Sequence, residues 1–243
     1  MKSNKFFDLA AFEHQELWTE KDLVWDALKR LNNYLAELLA RRPMEIQGDI
    51  SSKATLHGTG IHIGRGTIVE DGAFIAGPTI IGSNCEIRHG AYVRGEVLTG
   101  NGCIIGHSSE IKHSIMLDES KASHFAYVGD SILGHRVNLG AGTKLSNLTM
   151  VSMKNPTTNK RPTLHIQING HQQDTGLTKL GAILGDDVQT GCNCVTNPGC
   201  LVGPRTLIYA NTALPKGYTP PDSIVKLRQE RTVVSKHSFG SKI

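Results

Sequence analysis

The sequence predicts an all-β fold, a left-handed parallel β-helix built from hexapeptide repeats, with an N-terminal helix and a protruding hairpin loop. An aliphatic residue returns every sixth position from Ile63 to Ile111, and only Thr99 interrupts the series before Leu117 continues it. A small residue precedes each of these by two positions, and side chains two apart on a strand share a face. Glycines such as Gly64 and Gly82 mark the bends. A period of six held this long is typical of a β-helix and of no α-helix.

The repeat changes phase twice along the chain. It resumes between Leu133 and Leu145 and again between Leu184 and Leu214. Such shifts mark places where a loop leaves the prism, and loops on a rigid solenoid usually carry the function. Three hexads make one triangular coil, so we expect roughly seven to eight coils.

These shifts divide the chain into three parts. We expect an N-terminal helical cap over residues 1–45 and a parallel β-helix domain over residues 46–218. A loop at 148–178 interrupts this domain, and a polar tail at 219–243 follows as coil or a short helix. Length and composition favour one repeat-built domain over two globular ones.

The N-terminal part has the pattern of an amphipathic helix. Thr19 and Asp22 resemble a capping box, and leucines and alanines recur at helical spacing until Arg41-Arg42-Pro43. Two interpretations of the apolar stripe stay open: a cap over the first coil, or a contact with neighbouring chains in a trimer. The inserted loop contains alternating Leu164, Ile166 and Ile168 before Asn169-Gly170, which predicts a hairpin.

Composition and charge limit the classes of partner. The net charge of +4 suits an anionic small molecule and is too weak to indicate nucleic acid. The chain has no apolar stretch long enough to span a membrane and no N-terminal signal segment, so we expect a cytoplasmic protein without a membrane partner. Cys192-Asn193-Cys194 lacks the spacing of a zinc site, and we expect no metal. Four of the five cysteines fall at small inward positions: Cys85, Cys103, Cys194 and Cys200.

Two segments of the sequence resemble those of a known family. Residues 121–130 read KASHFAYVGD and residues 137–143 read VNLGAGT. They resemble the acetyltransferase half of the bifunctional enzymes that acetylate glucosamine-1-phosphate and then couple the product to UTP. The stretch at 174–191 is similar to the archaeal-type, sugar-1-phosphate members of that group. The resemblance covers about residues 94–210 and implies an acetyl-CoA-dependent N-acetyltransferase acting on an amino-sugar 1-phosphate in UDP-N-acetylglucosamine biosynthesis.

The resemblance also implies roles for ten residues of this chain. His124 matches the general base, and Arg94 and Lys112 match the pair that grips the sugar phosphate. These two cations stand one coil apart, so their side chains should stack on one edge of the prism. The remaining sugar or phosphate contacts are Tyr127, Asn138, Asn147 and Lys179. The acetyl-CoA contacts are Ala141, Cys192 and Ala210, with Cys192 standing where bacterial relatives have serine.

This chemistry needs a base and no metal. Amide formation from a thioester requires a neutral amine, and histidine is the side chain that titrates near neutral pH. We expect His124, Tyr127 and Asn138 to border one groove. The other histidines lack such companions and are interpreted as solvated corner residues: His57, His62, His89, His107, His113 and His135.

Assembly and partners follow from the narrow prism. Its interior is filled, so we expect a homotrimer with sites in the grooves between chains. No glycine-rich phosphate loop precedes Ile50, so we expect no uridylyl transfer by this chain and a separate uridylyltransferase as a possible partner. Two alternatives stay open: an acyltransferase acting on another amino sugar or a nucleotide sugar, and a non-catalytic scaffold relative.

Overall fold

The computed structural model describes residues 1–41, 46–168 and 170–234. The described chain begins with two short 3-10 turns, Ser3–Lys5 and Gln15–Leu17, and one α-helix, α1 (Asp26–Arg41). The strands before the inserted loop are β1 (Asp49–Ile50), β2 (Thr55–His57), β3 (Ile61–Ile63), β4 (Ile68–Val69), β5 (Phe74–Ala76), β6 (Thr79–Ile81), β7 (Glu86–Ile87), β8 (Tyr92–Val93), β9 (Val97–Thr99), β10 (Ile104–His107), β11 (Glu110–Lys112), β12 (Ser114–Met116), β13 (Lys121–His124), β14 (Tyr127–Gly129), β15 (Ile132–Leu133), β16 (Asn138–Leu139) and β17 (Lys144–Leu145).

The remaining strands lie within and after the insertion. They are β18 (His165–Ile168), β19 (His171–Asp174), β20 (Ala182–Leu184), β21 (Gln189–Thr190), β22 (Val195–Thr196), β23 (Cys200–Val202), β24 (Leu207–Ile208), β25 (Ala213–Leu214), β26 (Gly217–Thr219) and β27 (Ile224–Val225). Apart from the antiparallel pair β18–β19, every strand joins one of three parallel sheets.

The three sheets form the sides of a prism, and the predicted β-helix is confirmed. Sheet 1 has the order β1-β4-β7-β10-β13-β16-β21-β24-β27. Sheet 2 has the order β2-β5-β8-β11-β14-β17-β22-β25. Sheet 3 has the order β3-β6-β9-β12-β15-β20-β23-β26. The described chain therefore makes eight complete coils and one further strand.

The repeating aliphatic residues fill the prism, as predicted. Ile63, Ile75, Ile87 and Ile105 are each 0% exposed and belong to one buried cluster that runs the length of the coils. Cys85, Cys103, Cys194 and Cys200 are buried in the same cluster as free thiols. The interior is thus a stack of small and branched side chains that leaves no room for a ligand.

Leu117 does not continue the interior series, which is a correction to the sequence-based prediction. Tyr92 pairs with Glu110 eighteen positions on, but Glu110 pairs with Tyr127 only seventeen positions on, so the coils become one residue shorter. Met116 consequently takes the interior place and pairs with Thr99 on one side. Leu117 points outward and packs with the N-terminal segment instead.

The N-terminal segment covers the outer face of sheet 3. Its aromatic and aliphatic side chains share a second buried cluster with the outward residues of that sheet: Ile80, Leu98, Ile115, Ile132, Ile183 and Leu201. Phe6 contacts Tyr218 of the eighth coil, with ring centroids 6.0 Å apart, and Leu39 lies beside Gly60 of the first coil. The segment therefore runs along the whole flank, rather than over the open end of the first coil.

Helix α1 begins later than its apparent capping box. The Asp22 carboxylate accepts the Thr19 N–H at 2.6 Å, but helical structure starts only at Asp26, whose carboxylate accepts the Leu23 N–H at 2.8 Å. Arg42 and Pro43 lie outside the described residues. Within the described part of the chain, helix length and apolarity fall short of what a membrane crossing requires.

The insertion forms the predicted hairpin, and one face of it packs on the prism. Strands β18 and β19 pair around Gly170, whereas Asn169 lies outside the described residues. Leu164 and Ile166 are buried against the covered flank, whereas residues 153–160 and every residue of β19 are exposed. The C-terminal tail, predicted as coil or helix, contributes strand β27 to sheet 1.

Candidate active site

Histidines occupy successive coils at the corner between sheets 1 and 2. The imidazole Nδ1 of His89 lies 2.6 Å from the Asp71 carbonyl, and Nδ1 of His107 lies 2.9 Å from the His89 carbonyl. The two rings stack with centroids 5.6 Å apart and planes inclined by 11°. Each ring is thus tied to the coil before it, which gives His89 and His107 a structural role.

His124 occupies the next position of this corner and is not tied in the same way. It pairs in register with His107, but the His107 carbonyl already accepts the Phe125 backbone N–H at 2.9 Å. The His124 side chain is exposed, and among the described residues its imidazole has no hydrogen-bond partner. Both ring nitrogens are therefore available to a ligand, as a general base requires.

The residues expected to contact acetyl-CoA continue the same corner. The Gly142 N–H donates to the His124 carbonyl at 2.9 Å, and the Asn193 N–H donates to the Ala141 carbonyl at 2.8 Å. The Asn211 N–H donates in the same way to the Cys192 carbonyl at 2.8 Å, which puts Ala210 on the next coil. The positions that stack below His124 at this corner carry small side chains: Ala141, Cys192 and Ala210. Cys192 and Ala210 are exposed, so a long thin chain has room along this edge.

Arg94 and Lys112 stack on the outer face of sheet 2, as the sequence predicts. Val93 and Ile111 pair across β8 and β11, and the Arg94 N–H bonds the Ile111 carbonyl at 2.9 Å. Both cations already have carboxylate partners: Glu110 lies 2.7 Å from Arg94, and Asp130 lies 3.7 Å from Lys112. Any anion that binds to Arg94 and Lys112 must compete with these two carboxylates.

Asp130 is the centre of a polar network that sequence reasoning missed. This carboxylate is 5% exposed, lies 2.9 Å from Nδ1 of His113 and accepts the amide N–H of Asn147. Burial raises the pKa of Asp130, but the hydrogen bonds from His113 and Asn147 and the Lys112 charge outweigh it, and the pKa lies below its ordinary value. His113 is therefore not a solvated corner residue. The signal was the spacing, because positions 113, 130 and 147 follow one another at intervals of seventeen.

Tyr127 completes this network on the outer face of β14. Its hydroxyl lies over Gly129, where an added Cβ would come within 2.6 Å of that oxygen and 2.8 Å of the Asn147 amide nitrogen. Gly129 is thus needed for this close approach. Burial, followed by the charges of Glu110 and Asp130, raises the pKa of Tyr127, so the phenol stays protonated and is a donor at neutral pH.

Lys179 and Asn138 differ in how near they lie to this network. The residue after Lys179, Leu180, donates its N–H to the Asn147 carbonyl at 3.1 Å, so the chain re-enters the prism beside the network. Asn138 instead lies on sheet 1, between Lys121 and Gln189. The His124 corner separates it from Tyr127 on sheet 2, and within one chain the two do not share a face.

His135 is also different from its predicted role. It is 7% exposed, lies 3.5 Å from the Asp118 carboxylate and makes an edge contact with Phe12 at 5.7 Å. It therefore belongs to the packing of the N-terminal segment. His124 is distinguished from His89, His107, His113 and His135 by its imidazole, which has no hydrogen-bond or ion-pair partner among the described residues.

Comparison with known proteins identifies the family. The family model described as the GMPPB C-terminal domain matches residues 75–216, more than half of the chain. The chain belongs to this family. The match spans the coils that carry the histidine corner and the stacked cations.

Curated relatives extend this result. The bifunctional protein GlmU of Methanococcus maripaludis strain C7 is 36% identical over 203 residues, covering 84% of this chain and 46% of that protein. A bifunctional sugar-1-phosphate nucleotidylyltransferase/acetyltransferase of Sulfurisphaera tokodaii is 35% identical over 100 residues, 41% of this chain and 23% of that protein. The chain thus spans less than half the length of these two relatives, and the resemblance stated from residues 121–130 is confirmed. Among solved structures, a Francisella novicida UDP-N-acetylglucosamine acyltransferase aligns with a TM-score of 0.38 and 13% identity over 70% of this chain and 60% of its own.

Proposed function

We propose that this chain transfers an acetyl group from acetyl-CoA to the amino group of an amino sugar that carries a phosphate at C1, such as glucosamine-1-phosphate. The observation that carries this proposal is the free, exposed imidazole of His124 next to the sheet 2 face with Arg94 and Lys112. The coils after His124 carry small side chains at the same corner, and the coils before it carry the two stacked cations on sheet 2. This order suits a base between a thioester and a sugar phosphate.

The reaction is an aminolysis in which one C–N bond forms and one C–S bond breaks. The sugar amine attacks the thioester carbonyl, and His124 takes the proton that the amine loses. The CoA thiolate leaves and is protonated, so the proton gained by His124 returns to the solvent or the thiol. The acyl group arrives activated, and the small corner at Ala141, Cys192 and Ala210 supports a place for the pantetheine chain.

The phosphate would be held by Arg94 and Lys112, and the sugar by Tyr127 and Asn147. Two cations one coil apart are suited to one phosphate, because charge-assisted hydrogen bonds are stronger than neutral ones. Glu110 and Asp130 keep the two side chains extended over sheet 2 until the phosphate competes for them. Lys179, beside Asn147, adds a further cation to the same region.

The active assembly in this proposal is a homotrimer. A single prism offers a ridge at His124 rather than a pocket, with Asn138 on sheet 1 and Tyr127 on sheet 2 on either side of it. Sheet 3 is covered by the N-terminal segment, so sheets 1 and 2 are free to meet neighbouring copies. A groove between copies would bring these residues to one substrate. Light scattering that finds a catalytically active monomer would contradict this arrangement.

The exposure of His124 favours catalysis over a scaffold role, since a scaffold has no need of a free imidazole on this ridge. The hairpin also leaves the phosphate face open, because its apolar side chains pack toward sheet 3. An acyltransferase that acts on an unphosphorylated amino sugar is therefore the weaker candidate.

The test is acetyl transfer to glucosamine-1-phosphate, galactosamine-1-phosphate and unphosphorylated glucosamine, side by side. We expect turnover of a phosphorylated sugar at least about tenfold above that of free glucosamine, as loss of a charged contact predicts. Because Cys192 is exposed, the N-acetylated product should be followed by mass rather than by a thiol reagent. Equal rates with and without the phosphate would contradict the substrate class, and no turnover of any amino sugar would contradict the enzyme.

A further inference from the structure

A ladder of aromatic rings leads along sheet 2 to the stacked cations. The His57 and Phe74 rings stack with centroids 5.7 Å apart, and Phe74 meets Tyr92 edge to face at 5.4 Å. The Arg94 guanidinium carbon lies 5.8 Å from the centroid of the Tyr92 ring. Tyr92 remains 44% exposed, so the ladder ends in an accessible ring beside a cation.

The register places this ring in line with the proposed sugar site. Tyr92 pairs with Glu110, and Glu110 pairs with Tyr127. Neighbouring strands lie about 4.8 Å apart, so Tyr92 and Tyr127 stand about 10 Å from each other along the prism. Arg94 lies level with Tyr92, two residues further along the same coil, and Lys112 lies level with Glu110, so the two cations form an adjacent column. From one coil to the next, the face thus presents a ring beside a cation, a carboxylate beside a cation, and then Tyr127 of the proposed sugar site.

We propose that this ladder binds the nucleoside part of a nucleotide-linked amino sugar. The inference rests on the proposed function and narrows its substrate class from a sugar phosphate to a nucleoside diphosphate sugar. Exposed aromatic rings hold bases by stacking, and an adjacent arginine strengthens such a site. The diphosphate lies over Arg94 and Lys112, and the Glu110 carboxylate accepts hydrogen bonds from the ribose hydroxyls.

A similar pair on sheet 1 provides a matched control. The Lys226 ammonium lies 5.2 Å from the Tyr209 ring centroid, and Tyr209 is 50% exposed. In the part of the chain that the structure describes, Tyr209 has no stacked ring beside it. The two tyrosines therefore share exposure and a cation, but differ in the ring ladder and in the second cation.

The experiment is calorimetric titration of the whole chain, without acetyl-CoA, with UDP, GDP and pyrophosphate. We expect at least one nucleoside diphosphate to bind more tightly than pyrophosphate. Tyr92→Leu should weaken that nucleotide by about five- to a hundredfold, the range for loss of one stacked base, and leave pyrophosphate unchanged. Tyr92→Phe should retain the advantage, and so should Tyr209→Leu. Thermal melts and light scattering should show that Tyr92→Leu folds and assembles normally.

Several outcomes would overturn the inference. Equal binding of pyrophosphate and both nucleotides by the unmodified protein would remove its basis. Loss of the nucleotide advantage in Tyr209→Leu rather than Tyr92→Leu would move the site to sheet 1. Weaker binding of adenosine 3′,5′-diphosphate in Tyr92→Leu would assign the ring to CoA, and dissociation of the assembly would assign it to a subunit contact.

The failure of this inference is separable from failure of the proposed function. If glucosamine-1-phosphate is acetylated as fast as its nucleotide-linked form, and Tyr92→Leu turns over both normally, the acetyltransferase stands and the ring site does not. If the nucleotides bind as expected but no amino sugar is acetylated, the nucleotide site is supported and the proposed acetyltransferase activity is contradicted. His124→Ala should leave the nucleotide affinities unchanged in either case.

Discussion

Sheets 2 and 3 have the same strand geometry and opposite roles. The outward residues of sheet 3, such as Leu98, Ile115 and Ile132, are 0% exposed beneath the N-terminal segment. The outward column of sheet 2 carries Tyr92, Glu110 and Tyr127 instead, and it stays open. The repeat gives the two sheets the same backbone geometry. Their outward side chains therefore decide that sheet 3 is buried under the N-terminal segment and that sheet 2 carries the candidate site. Substitutions on sheet 2 and its corner should therefore impair activity, and substitutions on sheet 3 should impair stability.

The largest effect on activity is expected at the corner. His124→Ala should lower kcat by about 10²–10⁴ because it removes the proposed general base, with little change in melting temperature. Kinetics at saturating acetyl-CoA and circular dichroism test both parts. His107→Ala removes the neighbouring histidine of the same corner and should retain most turnover. Comparable losses in the two variants would mean that the corner acts through its packing rather than through one imidazole.

The largest effect on stability is expected on the covered face. Leu98→Ala should lower the free energy of unfolding by about 2–5 kcal/mol, the usual range for a buried leucine that leaves a cavity. Denaturant titration measures this change. Val195→Ala, which shortens an aliphatic residue of sheet 2 that is 36% exposed, should change the free energy of unfolding by less than about 0.5 kcal/mol. If both variants unfold at the same denaturant concentration, the N-terminal segment does not stabilise sheet 3.

Substrate affinity provides an intermediate effect on the open face. Arg94→Ala and Lys112→Ala should each lower kcat/KM for the phosphorylated sugar by about ten- to a hundredfold, since each removes a charge-assisted contact. Activity on an unphosphorylated amino sugar should change little. Arg136→Ala is the control, because it removes an arginine that binds the Asp187 carboxylate at 2.7 and 2.9 Å on another corner. Equal losses on both substrates would assign Arg94 and Lys112 to the fold.

The smallest effect is a pH dependence of the covered flank. The hydrogen bond from Arg30, at 2.6 Å, holds the pKa of Asp22 at about 2. A depressed folded-state pKa stabilises the fold above the ordinary value near 3.8, and this contribution is lost as the pH falls toward about 2. Asp22→Asn should therefore be less stable than the unmodified chain at pH 7, and the two should converge in acid. Melting curves of both proteins between pH 7 and pH 2 measure this difference in stability. A difference that stays constant across that range would show that it does not arise from the ionised Asp22 carboxylate.

The repeat made the candidate site partly predictable. Positions separated by one coil must stack, so the spacing of Arg94 and Lys112 was sufficient to align them, and likewise His124 with Ala141. One-coil spacing also aligns His113, Asp130 and Asn147. The sequence does not show that Asp130 is buried and hydrogen-bonded to the other two, which only the structure reveals. For Asn138 the spacing was not sufficient. The sequence predicted that it borders one groove with Tyr127, but Asn138 lies on sheet 1 and Tyr127 lies on sheet 2, with the His124 corner between them.

The sequence by itself determined the periodic features of this protein: the prism, its aliphatic interior, the buried cysteines and the order of residues along each corner. These depend on neighbours within one or two coils, and a fixed strand period aligns them. The tertiary structure alone decided which flank the N-terminal segment covers, that Met116 replaces Leu117 inside, and that the imidazole of His124 is free where those of His89 and His107 are tied. Each of these features depends on contacts between groups that are far apart in the sequence or that compete for the same surface or carbonyl. A six-residue period does not specify such contacts.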